Sequence, residues 1–497
     1  MPPQALAALA TLVSFAGHGN RVDLTLDRGS AELVWITGST FRFRRTLDGP
    51  LPPVRQESSA AVPLEMDDTP AGLRVRSKFV EVTIQKHGVL LRVRKPDGTP
   101  LLTDATEPRP EAAGVSWERQ LGNARYYGLG PRADLTFDLK GTMQALESPL
   151  LFSTAGYGEF HSGAGKYQFD FTAAGRYRIQ APAIDYYFYY GPTVKQVFEE
   201  HKTVRGPSEL WQAAAERTAS WTNLRDTILR LVQGAMSARV TPVMDLAVYA
   251  KAPAELLQRA RQVGSLVLEV TPGSTGLSDF RKQLESFFQV YETEIQDKGF
   301  PVWHPLPFQF PEDPECARHA DEFLLGDELL IAPIYEPGGK RQVYLPQGVW
   351  TGLDTNEVYQ GRRTIEIATE SLPAFARNGT IVPLDSAGGL TLHYFPKLGA
   401  EFFLLETEAQ AWTQVHASPA IDVMRLQIES KKDRDYVWVV HHVDKPSAVG
   451  FEDTRFREVG AAGLMTDRTW FYDAARKNVH IRIRVAAGAD SIINLES

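Results

Sequence analysis

The segment between residues 206 and 346 most constrains how this chain can fold. It carries an alternating helix and strand pattern over about 140 residues, whereas a closed barrel of eight strand–helix units takes about 250 residues and at least about 200. Long β-patterned stretches lie on both sides of it. The pattern therefore predicts a small parallel sheet with crossover helices, less than half of such a barrel, between β-rich regions.

The β-patterned flanks predict sandwiches. Val22, Leu24 and Leu26 alternate with polar residues, and the same period of two recurs up to residue 190 between turn signals. Many short strands of this kind are typical of an antiparallel β-sandwich. The stretch from residue 389 to residue 497 alternates in the same way, so we expect a further sandwich there.

Inside the central segment, the spacing predicts strands near residues 240–249, 265–270 and 300–304, separated by helices. The last of these helices carries an apolar stripe from Leu277 to Ile295. An open parallel sheet exposes an apolar face and strand edges. We therefore expect this stripe, the sandwiches, a second copy of the chain or a partner chain to cover the open sheet.

Composition excludes several classes of protein. The net charge is −8 and no basic stripe stands out, so nucleic acid is not an expected partner. No apolar run reaches the roughly 18 residues of a membrane span. The single cysteine, Cys316, allows no intrachain disulfide. No pattern indicates a cofactor.

The first residues bear on location. The stretch from residue 1 to residue 20 is mildly apolar but has no Lys or Arg before its apolar part, whereas a signal peptide needs a basic region there. The sequence therefore favours the cytoplasm, with a secreted or periplasmic location as the weaker alternative.

A series of short phrases runs along the chain in a characteristic order. The phrases are Tyr127-Gly128-Leu129-Gly130, Ser148 to Phe152 with Gly156-Tyr157-Gly158, Asp185 to Phe188 with Tyr190 to Thr193, Gly299 to Pro305, Phe323 with Leu325 to Pro333, Val343 to Pro346 with Gly348 to Trp350, and Phe375 with Arg377 to Pro383. Together they resemble glycoside hydrolase family 31, the family of α-glucosidases and α-xylosidases.

The resemblance implies a four-part β and α/β protein. The expected parts are an N-terminal mutarotase-like β-sandwich, a truncated α/β barrel remnant, a proximal C-terminal β-domain and a distal C-terminal β-sandwich, over residues 1–190, 191–338, 339–388 and 389–497. It also implies retaining hydrolysis of α-glycosides, which uses two carboxyl groups about 5–5.5 Å apart.

The departures from the family pattern concern its chemistry. The family carries its nucleophile Asp after the fourth barrel strand and its acid/base Asp after the sixth, and no segment here matches either motif. The stretch from Arg132 to Glu147 is also short and lacks the family's Asn-Thr-Asp phrase. The resemblance therefore implies a degenerate catalytic centre, and whether the chain is an enzyme stays open.

Four residues remain as candidates for a site. Asp245 matches a substrate-contacting Asp of the family, and Glu269 lies near the end of the next strand. The two carboxyl groups could form a relocated catalytic pair. The alternative is that Asp245 caps a loop and that Glu269 is a solvated side chain. His304 stands where the family usually has Arg, and Trp303 could stack on a sugar, although both also suit a domain core. No spacing indicates a metal site.

Three hypotheses follow from the sequence. The first is a non-catalytic relative that binds carbohydrate. The second is an active α-glycosidase with relocated carboxylates or with a partner subunit that completes it. The third is a purely structural protein in a larger complex.

Overall fold

The computed structural model describes residues 9–54, 61–146, 149–206, 211–212, 218–267, 269–270, 279–387 and 389–497. Its strands form eight sheets, here called A to H in chain order of their first strands. The described residues form six α-helices: α1 Val194–Arg205, α2 Trp221–Ala235, α3 Ala254–Gly264, α4 Asp279–Gln283, α5 Glu285–Lys298 and α6 Leu306–Gln309.

The N-terminal region consists of three antiparallel sheets. In spatial order, sheet A holds Leu12–His18, Arg21–Leu26, Ser30–Trp35, Thr40–Arg45, Ile184–Tyr190, Tyr157–His161, Leu150–Ser153 and Tyr126–Gly128. Sheet B holds Glu65–Asp68, Gly72–Arg76, Glu81–Gln85, Leu91–Arg94 and Pro100–Thr103. Sheet C holds Arg109–Glu111, Gly114–Gln120, Arg176–Ala181, Tyr167–Asp170 and Met143–Leu146.

These three sheets share one apolar core, since buried side chains of sheets A, B and C, such as Leu33, Val82 and Phe169, belong to a single cluster. The alternation in the sequence corresponds to the buried face of the strand, because Val22, Leu24 and Leu26 all belong to this cluster.

The central region contains the parallel sheet, sheet D. Within the described residues it has three strands, Trp211–Gln212, Pro242–Met244 and Glu269–Val270, and neighbouring strands run parallel. Helices α2 and α3 lie between these strands in sequence. A 3-10 helix, Leu246–Tyr249, follows the middle strand directly.

The third strand of the sequence prediction lies elsewhere, which is a correction. Trp303–Pro305 pairs antiparallel with Phe323–Leu325 and so belongs to sheet E. The indole of Trp303 stacks on Phe323 with 4.0 Å between ring centroids. The periodicity of the sequence does not encode such a long-range contact, which stabilises the strand in sheet E instead of sheet D.

Sheets E and F form the next layer. In spatial order, sheet E holds Trp303–Pro305, Phe323–Leu325, Leu329–Ile331, Ala374–Arg377, Val349–Gly352 and Val358–Gln360, and sheet F holds Lys340–Leu345 and Arg363–Ala368. Leu324, Val343 and Trp350 share a buried cluster across the two sheets. Sheet E therefore runs across the boundary expected after residue 338.

The distal region is a sandwich of two sheets. Sheet G holds Thr380–Ser386, Gly389–Phe395, Arg434–Val440, Asn478–Val485, Thr469–Asp473 and Arg457–Glu458. Sheet H holds Ala400–Glu406, Ala411–Ser418, Val423–Glu429, Asp490–Glu496 and Ala448–Gly450. The boundary expected at residue 388 falls inside the first hairpin of sheet G.

Helix α5 joins the central region to the distal sandwich. Its apolar side chains Phe287, Tyr291 and Ile295 belong to a core cluster that also contains Phe402 and Trp438 of the distal sandwich. The helix ends at Gly299, which has φ 73° and donates its N–H to the carbonyl of Ile295. Leu277, the start of the expected stripe, lies outside the described residues. No helix in the described part of the chain is both long and apolar enough to span a bilayer.

Candidate functional site

Asp245 directly follows the middle strand of sheet D, whereas Glu269 is the first described residue of the neighbouring strand Glu269–Val270. Asp245 caps the 3-10 helix Leu246–Tyr249, and its Oδ1 accepts a hydrogen bond from the N–H of Ala247 at 3.0 Å. The backbone of Glu269 pairs with Val243, but its side chain lies outside the described residues. A catalytic pair of these two carboxyl groups therefore stays a prediction.

Trp303 lies in the core. Only 1% of its surface is exposed, and its indole N–H donates to the carbonyl of Leu266 at 2.7 Å. With one ring face on Phe323, the indole ties sheet E to the end of α3. In this arrangement it offers no open face to a sugar.

His304 is buried beside an exposed carboxylate. Its Nδ1 lies 2.9 Å from Oδ1 of Asp327, and an ionised carboxylate can only accept, so Nδ1 carries the shared hydrogen. Lys195 on α1 places its Nζ 3.4 Å from the same oxygen. Burial would raise the pKa of Asp327, but the hydrogen bond and charge of His304 and the charge of Lys195 outweigh it and hold that pKa well below its usual range.

The next residue in the chain has the opposite protonation preference. Glu328 is buried, and burial together with the charge of Asp327 raises its pKa to about 8. Its Oε2 accepts the hydroxyl of Tyr291 at 2.6 Å and the N–H of Asp327 at 3.1 Å. Burial and the neighbouring carboxyl groups also raise the pKa of Tyr291 well above its usual value. The two neighbouring carboxyl groups of this wall are thus shifted in opposite directions, Asp327 towards its ionised form and Glu328 towards its protonated form.

A groove of about 610 Å³ opens beside this wall, a volume typical of ligand sites. It lies between α5 and the hairpin formed by Ala400–Glu406 and Ala411–Ser418, which we call the α5 groove. Its lining comprises Val290, Tyr291, Thr293, Glu294, Asp297, Lys298, Asp327, Glu328, Glu401, Phe402, Phe403 and Trp412. Phe403 and Trp412 are exposed by 38% and 37%, so the groove combines aromatic faces with carboxylates.

His319, Asp321 and Glu322 form a second cluster with spacing that could hold a cation. Arg341 already lies between the two carboxyl groups, with Nη2 2.8 Å from Asp321 and 3.2 Å from Glu322. The hydroxyl of Tyr335 also donates to Asp321 at 2.6 Å. The guanidinium supplies the positive charge that a metal ion would bring, so this cluster is a buried ion-pair network.

Sequence reasoning did not single out the residues of the α5 groove. Asp327 and Glu328 appeared only as part of a phrase that carried the family resemblance. Phe403 and Trp412 stood in strands whose alternation predicted a sandwich. Two large aromatic residues at solvent-facing positions of neighbouring strands were the available signal, but the pattern does not show that α5 lies beside them.

Comparisons with known proteins agree on one family. A family model described as the glycosyl hydrolase family 31 C-terminal domain matches residues 299–382. Neutral α-glucosidase AB of Mus musculus is 38% identical over 108 residues, which cover 21% of this chain and 11% of that protein. An α-glucosidase of Saccharolobus solfataricus is 37% identical over 92 residues, covering 18% of this chain and 13% of that protein. The matched stretches therefore span only a small part of these relatives' length.

Solved structures share the architecture over nearly the whole chain. A family 31 dextranase mutant of Flavobacterium johnsoniae, complexed with isomaltotriose, superposes with a TM-score of 0.83 at 13% identity and covers 99% of this chain and 100% of that chain. A cycloalternan-forming enzyme from Listeria monocytogenes, complexed with a pentasaccharide substrate, gives 0.82 at 12% identity and covers 98% of this chain and 77% of that chain. At such identities the likeness shows the fold.

Proposed function

Because the chain belongs to glycoside hydrolase family 31, we propose that it binds carbohydrate and no longer hydrolyses it. In this proposal the chain has a truncated form of the family's barrel, and its β-domains retain the capacity to bind a saccharide. Solved relatives hold isomaltotriose or a pentasaccharide substrate, so α-linked oligosaccharides of glucose are the ligands to try first.

The small number of strands in sheet D is the main support for this proposal. In the part of the chain that the structure describes, the sheet has three strands, whereas the active groups of α/β barrels stand on loops at the carboxyl ends of eight strands. Asp245 lies at such an end, but its carboxylate caps the turn that follows. The proposal also rests on the expectation from the sequence that neither of the family's two catalytic Asp motifs is present.

Hydrolysis and binding assays test the proposal together. We expect the purified chain to release no 4-nitrophenol from the aryl α-glucoside or α-xyloside above a buffer control, and to bind α-linked oligosaccharides on a glycan array. Hydrolysis that Asp245→Asn or Glu269→Gln abolishes would replace this function with that of an α-glycosidase. A chain with neither activity would favour the structural role.

A hydrolase with relocated carboxyl groups is the second candidate, and one observation favours it. Asp327 and Glu328 line the same groove with opposite protonation preferences, and such a division identifies acid and nucleophile in known glycosidases. Against it, Oε2 of Glu328 is already occupied by two donors. If wild type hydrolyses an aryl glycoside and Glu328→Gln does not, this candidate replaces the first.

We further propose that a second copy or a partner chain covers sheet D. No other described strand pairs with its outer strands, Trp211–Gln212 and Glu269–Val270, and open strand edges favour association. Light scattering after size exclusion should give a mass above the 55.3 kDa of one chain. A single-chain mass at all concentrations would contradict a homo-oligomer.

A further inference from the structure

The α5 groove has the chemical make-up of a saccharide site. Pyranose rings present apolar C–H faces and equatorial hydroxyl groups, so they bind where flat aromatic surfaces adjoin hydrogen-bond acceptors. Phe403 and Trp412 supply the surfaces on the hairpin side. Glu294 and Asp297 of α5 supply acceptors on the opposite side.

The strand register places the two aromatic residues on one face. Leu405 pairs with Trp412, and Phe403 pairs with Gln414, so Phe403 and Trp412 are diagonal neighbours on the same side of sheet H. Such neighbours lie about 7–8 Å apart. Glu401, two residues before Phe403, faces the same side and completes an acidic border.

Charge narrows the choice of ligand. The groove is lined by five carboxyl groups, Glu294, Asp297, Asp327, Glu328 and Glu401, and by one lysine. That lysine, Lys298, already pairs with Glu294 at 3.0 Å. An acidic ligand such as a phosphate or a uronic acid would be repelled, whereas a neutral sugar can donate its hydroxyl hydrogens to the carboxylates.

Two further hollows lie beside α5. Thr293 lines both the groove and the second hollow, and Gln289, Leu405 and Thr407 line both the second and the third. Helix α5 has 14 residues, which corresponds to about 20 Å at about 1.5 Å per residue. The three hollows are distributed along this length of the helix.

We propose that the α5 groove is a binding site for neutral oligosaccharides, in which Trp412 and Phe403 stack on sugar rings and Asp297 and Glu294 accept hydrogen bonds from sugar hydroxyl groups. This inference rests on the proposed function and specifies where on the protein the oligosaccharide binds. The groove lies between α5 and the distal sandwich, and its lining includes no residue of the described strands of sheet D.

Titration calorimetry with isomaltotriose and maltopentaose tests the assignment. We expect wild type to bind at least one of them, Trp412→Ala to weaken binding at least tenfold, and Trp412→Phe to keep most of the affinity. Asp297→Asn should weaken binding about threefold or more. The matched control is Phe79→Ala, since Phe79 is an aromatic residue exposed by 39% on the N-terminal region, and it should bind as wild type does.

The outcomes separate the two proposals. If wild type binds and both Trp412→Ala and Asp297→Asn bind equally well, the groove assignment is overturned while carbohydrate binding stands. If wild type binds neither oligosaccharide, both proposals fail. If wild type instead binds pentalysine and no sugar, the acidic groove is a docking surface for a basic peptide and the assignment is overturned. Unchanged melting temperatures of the variants show that any loss of binding is local.

Discussion

The imidazole of His304 and the carboxylate of Asp327 form a hydrogen bond of 2.9 Å between Nδ1 and Oδ1. His304 is fully buried, whereas the Asp327 side chain is 45% exposed. Within the described residues, Nε2 of His304 has no hydrogen-bond partner. The carboxylate of Asp327 is thus the hydrogen-bond partner of this imidazole. The bond connects the first strand of sheet E, Trp303–Pro305, to the wall of the α5 groove.

Removing that acceptor should destabilise the protein. Asp327→Ala leaves a buried ring N–H without a partner, which costs about 1–3 kcal/mol, whereas Asp327→Asn keeps an acceptor oxygen and should cost less. Urea denaturation followed by tryptophan fluorescence measures the difference. Lys195→Ala is the control, since a partly exposed ion pair contributes about 0–1 kcal/mol. Equal stability of Asp327→Ala and wild type would mean that water replaces the carboxylate.

Two histidines of the distal sandwich predict acid sensitivity. Nδ1 of His393 lies 3.0 Å from Nε2 of His441, and Nδ1 of His441 lies 3.0 Å from the side-chain oxygen of Asn356. Burial, together with the neighbouring His480, lowers the pKa of His393 to about 4. Burial and nearby histidines, His393 first, lower that of His441 to about 2. Both rings are therefore neutral in the folded protein.

Stability should consequently fall as the pH drops below about 6.5. The unfolded chain takes up a proton at each histidine near its ordinary pKa, while the folded chain does so only near pH 4 or lower, so each residue costs about 1.4 kcal/mol per pH unit in that window. Urea unfolding between pH 4.5 and 7 measures the slope. His393→Gln should flatten the slope by about one proton, and an unchanged slope would contradict the assignment.

The sequence predicted the β-rich architecture because alternation is a local property. The side chains of Val22, Leu24 and Leu26 needed only the pleat of their own strand to reach the core. The same reasoning failed for the partner of Trp303–Pro305, because strand pairing depends on contacts such as Trp303 on Phe323 across intervening loops and a helix. The family resemblance, which drew on phrases from both flanks, is confirmed by the comparisons.

The α5 groove could not be predicted for a similar reason. Phe403 and Trp412 border a groove because α5 lies beside the edge strand of sheet H, where Phe287 stacks on Phe402 with 6.0 Å between ring centroids, and this is a tertiary relationship. The contact between Tyr291 and Glu328 joins residues 37 positions apart. Local patterns identified the helix and the hairpin separately, but not the space between them.

Glu200 fixes α1 to the N-terminal region through three hydroxyl groups. Thr37 and Thr40 donate to its Oε2 at 3.0 and 2.6 Å, and Ser39 donates to its Oε1. Glu200→Gln turns one acceptor oxygen into an amide donor that faces a hydroxyl, so we expect a loss of about 1–3 kcal/mol in the free energy of unfolding.

The matched control for Glu200 lies next to it on the same helix. Glu199 is exposed, so Glu199→Gln changes the charge of α1 by the same amount and should leave the melting temperature nearly unchanged. Equal effects of the two substitutions in differential scanning calorimetry would assign the loss to net charge instead of to the three hydroxyl contacts.

Trp303 and Trp412 should respond differently to the same substitution. Trp303→Phe loses the hydrogen bond to Leu266 and leaves unfilled volume beside Phe323, so it should cost about 2–3 kcal/mol of stability while oligosaccharide affinity stays within about twofold. Trp412→Phe, at an exposed position, should leave stability within about 0.5 kcal/mol and keep most of the affinity, which Trp412→Ala lowers at least tenfold. Paired calorimetric melting and binding measurements on both variants check this. If the Trp303→Phe protein melts as wild type does but no longer binds the oligosaccharide, Trp303 contacts the sugar and is not a core residue.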